Sequence, residues 1–327
     1  MVSVAREEEK SLTFRDVSCA LCGPGVRHRV LYPARLDSAG IKPEQLFSSR
    51  RIPGRIHFRI VTCDRCGLVY SNPIFDEETI SRLYAESQFI DDPFLKNQFI
   101  NIKQDYGRHL KKAAAHVPGA RRLLDIGCGN GFFLSVAREQ GFSNIKGVEP
   151  GRDACAKADP DIRPSIVQGT FTKDLFPRNS FDIVSAFHVL DHLLSPADFL
   201  NDVREVLRPG GIVLLVAHNV RFWVTRLAGE HAPMFHIEHV YLFDPRTARM
   251  LLEKSGFDVL EVEDLTCTYT LAHALKMVPM PISVKTSILK MLEGKPAADI
   301  KVRLSPGDML LIARKPGEGS LKKDGAA

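Results

Sequence analysis

Three sets of residues in this 327-residue chain have side chains and spacings that could do chemistry. The first is Asp125-Ile126-Gly127-Cys128-Gly129-Asn130-Gly131, which follows an apolar run and opens a helix-like one. Glycines allow a positive-φ turn and let backbone approach a ligand closely. Free N–H groups at the following helix start favour an anionic ligand group. Asp125 would repel a phosphate at this loop and suits a cationic ligand. A dinucleotide fingerprint requires G-x-G-x-x-G, and its third glycine would fall where Phe132 stands. The second set is two C-x-x-C pairs, Cys19/Cys22 and Cys63/Cys66, with 40 residues between them. Gly23 and Gly67 follow the second cysteine of each pair. Four thiolates from two such knuckles complete a tetrahedral structural zinc (Zn2+) site with no position left open for chemistry. The alternatives are a redox pair or unrelated thiols. Cys128, Cys155 and Cys267 stand singly and read as small packed residues. The third set is histidines: His188 and His192 flank Asp191, and His231, His236 and His239 cluster further on. Imidazole suits a general base near neutral pH.

The elements that must position these groups are read from periodicity. Residues 1–75 are Arg-rich, with short β-prone runs separated by turn signals, and form the expected zinc-ribbon-like module. Residues 76–118 carry helical apolar spacing (Ile80, Leu83, Tyr84, then Phe99 to Leu110) and read as a helical linker or cap ending at Pro118-Gly119. From 119 to 316 strands alternate with helices. Apolar runs lie at 122–127, 145–149, 182–187 and 211–217, and helix-like stretches at 131–140, 152–158 and 197–207. That alternation predicts parallel βαβ units in an α/β, doubly wound, Rossmann-like sheet. Asp244-Pro245 should cap and open a helix that Gly256 closes, with final strands at 257–262 and 309–313. Ligands in open α/β sheets bind beyond the carboxyl ends of the strands. The 219–243 stretch, with Phe222, Trp223, Met234 and Phe235 beside its histidines, is expected as a substrate lid there. Residues 317–327 are polar and Gly/Lys-rich and are expected to be a disordered tail.

The glycine loop and the segments after it resemble the class I S-adenosylmethionine (SAM)-dependent methyltransferases. The Asp-x-Gly-x-Gly-x-Gly pattern matches without a gap, and Glu149 stands 24 positions after Asp125, where the family has an acidic residue for the ribose hydroxyls. The resemblance implies a seven-stranded methyltransferase sheet and assigns cofactor contacts to Asp125, Gly127, Gly129, Gly131 and Glu149. It adds Gly169, Thr170 and Phe171, where the family lines the adenine, and Phe187 in the fourth-strand motif Phe181–His192. It places His188 near the methyl group and Asp191-His192 where the family often has Glu-His. It covers about residues 76–265 and a last strand near 308–315. Cys66-Gly67-Leu68-Val69-Tyr70-Ser71-Asn72-Pro73 resembles the zinc-binding segment that precedes the domain in a subset of bacterial members.

Methyl transfer from a sulfonium requires the protein mainly to align the acceptor and exclude water. A base is needed only when the acceptor must lose a proton, and the order of candidates is His192, His188, His239. The expected reaction is methyl transfer to O, N or C of a small-molecule acceptor. The competing readings are an RNA or protein methyltransferase whose zinc module holds the macromolecule, and a non-catalytic SAM-binding interaction protein. Charge bears on the partner. Residues 1–60 and 268–327 each carry +5, whereas the middle carries −5. No basic stripe or aromatic-interleaved basic run crosses the chain, which argues against nucleic acid. Arg50–Arg55 is the best support for it. With 44% hydrophobic and 25% charged residues the composition is that of soluble globular chains. No apolar run approaches the ~18 residues of a membrane span. The first ten residues lack an apolar secretory core, so the expected place is the cytoplasm, with no membrane partner.

Overall fold

The computed structural model describes residues 13–36, 56–85, 93–277 and 282–317, without the side chains of 93–100, 276, 277 and 282. Arg50–Arg55 and the tail after Gly317 lie outside the described residues.

The central sheet has seven strands: β6 (Arg122–Ile126), β7 (Asn144–Glu149), β8 (Ile166–Gln168), β9 (Phe181–Phe187), β10 (Leu207–His218), β12 (Asp258–Asp264) and β15 (Asp308–Arg314). Their spatial order is β8-β7-β6-β9-β10-β15-β12. β15 pairs antiparallel with both its neighbours, and the pairs among the first five are parallel. The doubly wound, seven-stranded expectation therefore holds. β9, β10 and β15 are near-continuous apolar runs because both faces of the sheet are covered. Successive side chains alternate between the faces. Val184, Ala186, Val213, Leu215, Leu311 and Ala313 share one core with α5 (Pro196–Val206) and α7 (Pro245–Lys254). Ile183, Ile212, Leu214, Val216, Leu310 and Ile312 share the other with α2 (Pro93–Ala115) and α3 (Phe132–Glu139). The β10 strand begins four residues earlier than its apolar run suggests.

α7 shows how the sequence sets an element boundary. The Asp244 carboxylate accepts the Thr247 N–H at 2.7 Å while Thr247 Oγ1 accepts the Asp244 N–H at 2.9 Å. Pro245 holds the first helical position, and Gly256 follows at φ 76°. This reciprocal cap satisfies two helix-end donors.

The N-terminal strands do not pack alone. β2 (His28–Tyr32), β3 (Ile60–Cys63) and β4 (Val69–Ser71) form an antiparallel sheet. β11 (Tyr241–Leu242), from the stretch before α7, completes it by pairing with β4. β1 (Phe14–Arg15) pairs with β5 (Ile74–Phe75). Phe58, Leu68, Tyr70 and Ile74 belong to the same buried cluster as α5 and α7. α1 (Glu77–Ala85) follows β5, and α4 (Arg152–Ala156) follows β7.

Between β12 and β15 the chain inserts β13 (Cys267–Thr270), α8 (Leu271–Met277), α9 (Ile282–Leu292) and β14 (Lys301–Leu304), with β13 pairing to β14. The sequence pattern predicts no element there. The insertion leaves and rejoins the sheet beside the end of β10: Asn219 Nδ2 donates to Asp264 Oδ1 at 3.2 Å, and the Leu265 N–H to Asp308 O at 2.9 Å.

Candidate active site

One cavity of about 1170 Å³ opens over the carboxyl ends of β6, β7, β9 and β10. It is lined by the glycine loop and its neighbours (Asp125, Gly127, Gly129, Glu149, Gly169, Thr170, Phe171 and Phe187) and by His188, His192, His218, His236 and His239. The two chemistries read from sequence thus share a single space.

The glycines divide by what demands them. Gly127, Gly129 and Gly131 all adopt positive φ (71°, 56° and 74°). A Cβ on Gly127 would lie 2.6 Å from Val189 Cγ2, and one on Gly131 would lie 2.5 Å from Ile162 Cγ2. Packing within the protein therefore excludes side chains at these two. Gly131 caps α3 and is not among the cavity-lining residues. Glu149 ends β7 with both oxygens held: Oε2 accepts the Gly129 N–H at 2.8 Å and Oε1 the Gly151 N–H at 2.7 Å. An ionised carboxylate has about four acceptor sites, so two remain for hydroxyls. Burial raises the Glu149 pKa, opposed by those two N–H bonds. Asp125 accepts from Ser185 Oγ at 2.7 Å. Burial pushes its carboxyl up to about 7, with the nearby Glu149 charge adding to the shift. Two buried carboxylates favour a cationic group between them. Phe187 packs edge-on against Tyr106 and Phe133, fixing the wall beside them.

The histidine end is tighter than the sequence suggests. His188 has φ 53°, rare for a residue with a side chain, and its N–H donates to Val216 O at 2.8 Å. Among the described residues its buried Nδ1 lacks a hydrogen-bond partner, and Nε2 lies 3.8 Å from Asp308 Oδ2. Burial holds its pKa below the usual imidazole value. His192 Nδ1 is 2.7 Å from the Tyr84 hydroxyl. His239 Nδ1 is 2.6 Å from Met234 O, and burial holds its pKa well below normal. His218 Nδ1 is 2.6 Å from Asp308 Oδ1, and its Nε2 is 3.8 Å from Asp191 Oδ2. Burial opposes charge on His218, but Asp308 and Asp191 outweigh it and raise its pKa to about 9. Burial raises the Asp191 pKa, and the surrounding histidines more than reverse that.

Sequence reasoning missed His218, Asp308 and Tyr84. The signal for the first two was positional, since His218 ends the fifth parallel strand and Asp308 starts the last. Other candidates point elsewhere. Trp223 in α6 (Trp223–Ala228) is 63% exposed and does not line the cavity. Met234 and Phe235 pack inward on Ile60, Val69 and Leu242.

The four cysteines Cys19, Cys22, Cys63 and Cys66 converge, with their Sγ atoms within 4.8 Å of one another and Cys19 Sγ 3.4 Å from Cys66 Sγ. None is in a disulfide. Gly23 and Gly67 adopt φ 77° and 75°, and their N–H groups return to Cys19 O and Cys63 O, closing both knuckles. Burial raises the Cys63 thiol, but backbone N–H groups of Cys66 and Arg65 outweigh it and bring it down to about 7. Burial pushes Cys19 up to about 11. Zinc–sulfur bonds of ~2.3 Å put the sulfurs of a tetrahedral site roughly 3.8 Å apart, so these positions fit such an ion.

A profile of the methyltransferase domain matches residues 99–262, about half of the chain. The chain belongs to the SAM-dependent methyltransferase family. Among its relatives, an uncharacterized methyltransferase of Mycobacterium sp. (strain KMS) is 29% identical over 145 residues, covering 44% of this chain and 54% of that protein. A tRNA U34 carboxymethyltransferase of Pseudoalteromonas translucida (strain TAC 125) is 30% identical over 159 residues, 45% of this chain and 48% of that protein. The chain spans about half the length of the curated relatives it matches. A solved SAM-dependent methyltransferase from Archaeoglobus fulgidus aligns with TM-score 0.45 and 20% identity, over 68% of this chain and 98% of that one. Among the described residues, no helix is long and apolar enough to cross a membrane.

Proposed function

We propose that this methyltransferase transfers a methyl group from SAM to a small-molecule acceptor held at the histidine end of the cavity. The observation that carries the reading is continuity. The glycine–carboxylate cradle and the histidines line one space whose ~1170 Å³ exceeds the ~300–1,000 Å³ usual for one small ligand, leaving room for cofactor and acceptor together. In this reading Glu149 takes the ribose hydroxyls. Asp125 and the Gly127–Asn130 stretch of the loop face the charged methionine end, Gly131 serves the turn into α3 instead of the ligand, and Gly169, Thr170 and Phe171 border the adenine.

If the acceptor is a hydroxyl or acidic carbon, its proton passes to a histidine as its electron pair attacks the methyl carbon. The carbon–sulfur bond breaks and its electrons remain on sulfur. His192, oriented by Tyr84, is the first candidate, then His188, then His239. The lid comprises residues 219–243, whose apolar side chains hold it down on the N-terminal sheet.

The cysteine cluster is proposed to hold one structural zinc. Its role would be to fix the knuckles on which β4 and β11 pair, and so the lid. Cysteines kept as metal ligands fit the reducing cytoplasm. The tRNA-acting relative favours a second reading, in which RNA is the acceptor and the N-terminal strands hold it. Release of S-adenosylhomocysteine from SAM separates the two. The proposal expects stimulation by the small-molecule fraction of a cell extract. Stimulation by the RNA fraction alone would replace it with the second reading.

A further inference from the structure

The acceptor end of the cavity contains a charge arrangement that methyl transfer does not require. Asp191 is 1% exposed, and among the described residues neither of its side-chain oxygens has a hydrogen-bond partner. A buried ionised carboxylate left in that state is costly. Its surroundings are imidazoles: His218 Nε2 stands 3.8 Å from Asp191 Oδ2, and the His218 and His239 rings lie 4.8 Å apart. The ligand atoms offered by Asp191, His218 and His239 lie within 4.8 Å of one another.

The outer contacts decide which nitrogens face inward. The Met234 carbonyl can only accept, so His239 Nδ1 donates to it at 2.6 Å and leaves the Nε2 lone pair free. Asp308 Oδ1 accepts from His218 Nδ1 at 2.6 Å, which turns the His218 Nε2 toward Asp191. Metal-ligating histidines are held in this way, with the far ring N–H given to a carboxylate or a backbone carbonyl. Two histidines and one carboxylate that leave further positions open form a catalytic metal set.

We propose that Asp191, His218 and His239 bind one divalent first-row cation, separate from the cysteine cluster, at the floor of the acceptor pocket. The ion would replace the missing partners of Asp191. Its remaining positions face the cavity, because His218 and His239 line it. They suit an oxygen donor on the acceptor, a hydroxyl or carboxylate. The inference concerns the acceptor end of the site proposed above and removes His239 from the set of bases, leaving His192 and His188. A second metal arrangement, His188–His218–Asp308, is disfavoured because it would use the His218 nitrogen already engaged by Asp308.

The test counts metal without turnover, so it can fail while methyl transfer stands. The 327-residue protein is stripped with a chelator and titrated with cobalt(II). The expected result is two equivalents: one with the intense thiolate-to-cobalt bands of the cysteine site, and one without them. Asp191→Asn and His239→Gln should each abolish the second equivalent and spare the thiolate bands. Asp308→Asn, which keeps all three ligands, should weaken the second equivalent about 10- to 100-fold. Saturation at one thiolate-bound equivalent in the unmodified protein overturns the proposal and leaves Asp191 and His218 as a charge pair only. A second equivalent that survives both ligand variants overturns it as well. If a ligand variant does not fold, Asp308→Asn decides in its place: the ~10- to 100-fold weakening supports the site, and an unchanged second equivalent overturns it.

Discussion

Replacing Glu149 by alanine removes the residue on which the ribose assignment rests. Its two oxygens already hold the Gly129 and Gly151 N–H groups, which aims the remaining lone pairs into the cavity. A hydrogen bond to a charged acceptor is worth about 1.5–3 kcal/mol net. Losing the equivalent of one therefore weakens SAM binding about 10- to 150-fold. The figure stays near that of one bond, because water can enter the space left by the side chain and solvate the freed hydroxyls. Glu149→Gln should fall between wild type and Glu149→Ala. It keeps one acceptor oxygen, but its amide sets donor against donor at one of the two glycine N–H groups. Calorimetry with SAM and with S-adenosylhomocysteine reads the effect. Both ligands carry the ribose, so both affinities should drop by the same factor while the folded signal persists. Unchanged affinity for both in a folded Glu149→Ala protein would refute the ribose role and the cofactor placement built on it.

Three further outcomes rest on the same geometry. Cys63→Ser should lower the zinc content by one per chain and reduce the melting temperature, since metal-binding energy is folding energy in such sites. Because β4 pairs with β11, amide exchange should also rise in 239–242, and unchanged exchange there would contradict the coupling. Asp182 accepts the Arg121 and Arg122 N–H groups and both the Arg122 and Arg208 guanidiniums. Burial raises its pKa, but the Arg122 guanidinium and the two N–H groups outweigh that and bring it down to about 2. A depressed carboxylate stabilises the fold above its unfolded pKa of ~3.9, and that contribution is lost as pH falls through about 2. With the guanidiniums partly exposed, Asp182→Asn should cost ~1–2 kcal/mol at pH 7 and flatten the pH 4-to-2 limb of chemical denaturation, and an unaltered limb would count against it. Gly131→Ala meets both a positive φ and Ile162 at 2.5 Å, whereas Gly119→Ala at φ 77° meets nothing within 4 Å. The first should cost ~2–4 kcal/mol and the second ~1–2 kcal/mol, so equal melting temperatures would contradict the packing account.

What sequence revealed depended on how far apart the cooperating residues lie. The glycine loop and Glu149 were legible because one strand–turn–helix and the next strand contain them. The paired cysteines were legible because each knuckle is local. His218 and Asp308 were not, because they meet only where β10 and β15 pair, at His218↔Asp308. Tyr84 read as one apolar position of a helix, and only the fold brings its hydroxyl to His192. The β4–β11 pairing joins segments about 170 residues apart through two-residue contacts too short to leave a periodic signal. The β13–β14 insertion was missed because its strands are only four residues long and pair with each other rather than with the central sheet. The direction of Met234 and Phe235 was not legible, because it depends on Ile60 and Val69 of an N-terminal sheet that the 219–243 stretch does not contain.

The central claim is that one cavity aligns SAM with a small-molecule acceptor beside His192. It is tested most directly by supplying deuteromethyl-SAM with a protein-free, RNA-free metabolite extract and following the label by mass spectrometry. The account predicts that a small molecule gains one deuterated methyl group. For a hydroxyl or acidic-carbon acceptor, His192→Ala should lower that transfer about 10²- to 10⁴-fold while SAM affinity is retained. No labelled small molecule, with label appearing instead in added RNA, would contradict it.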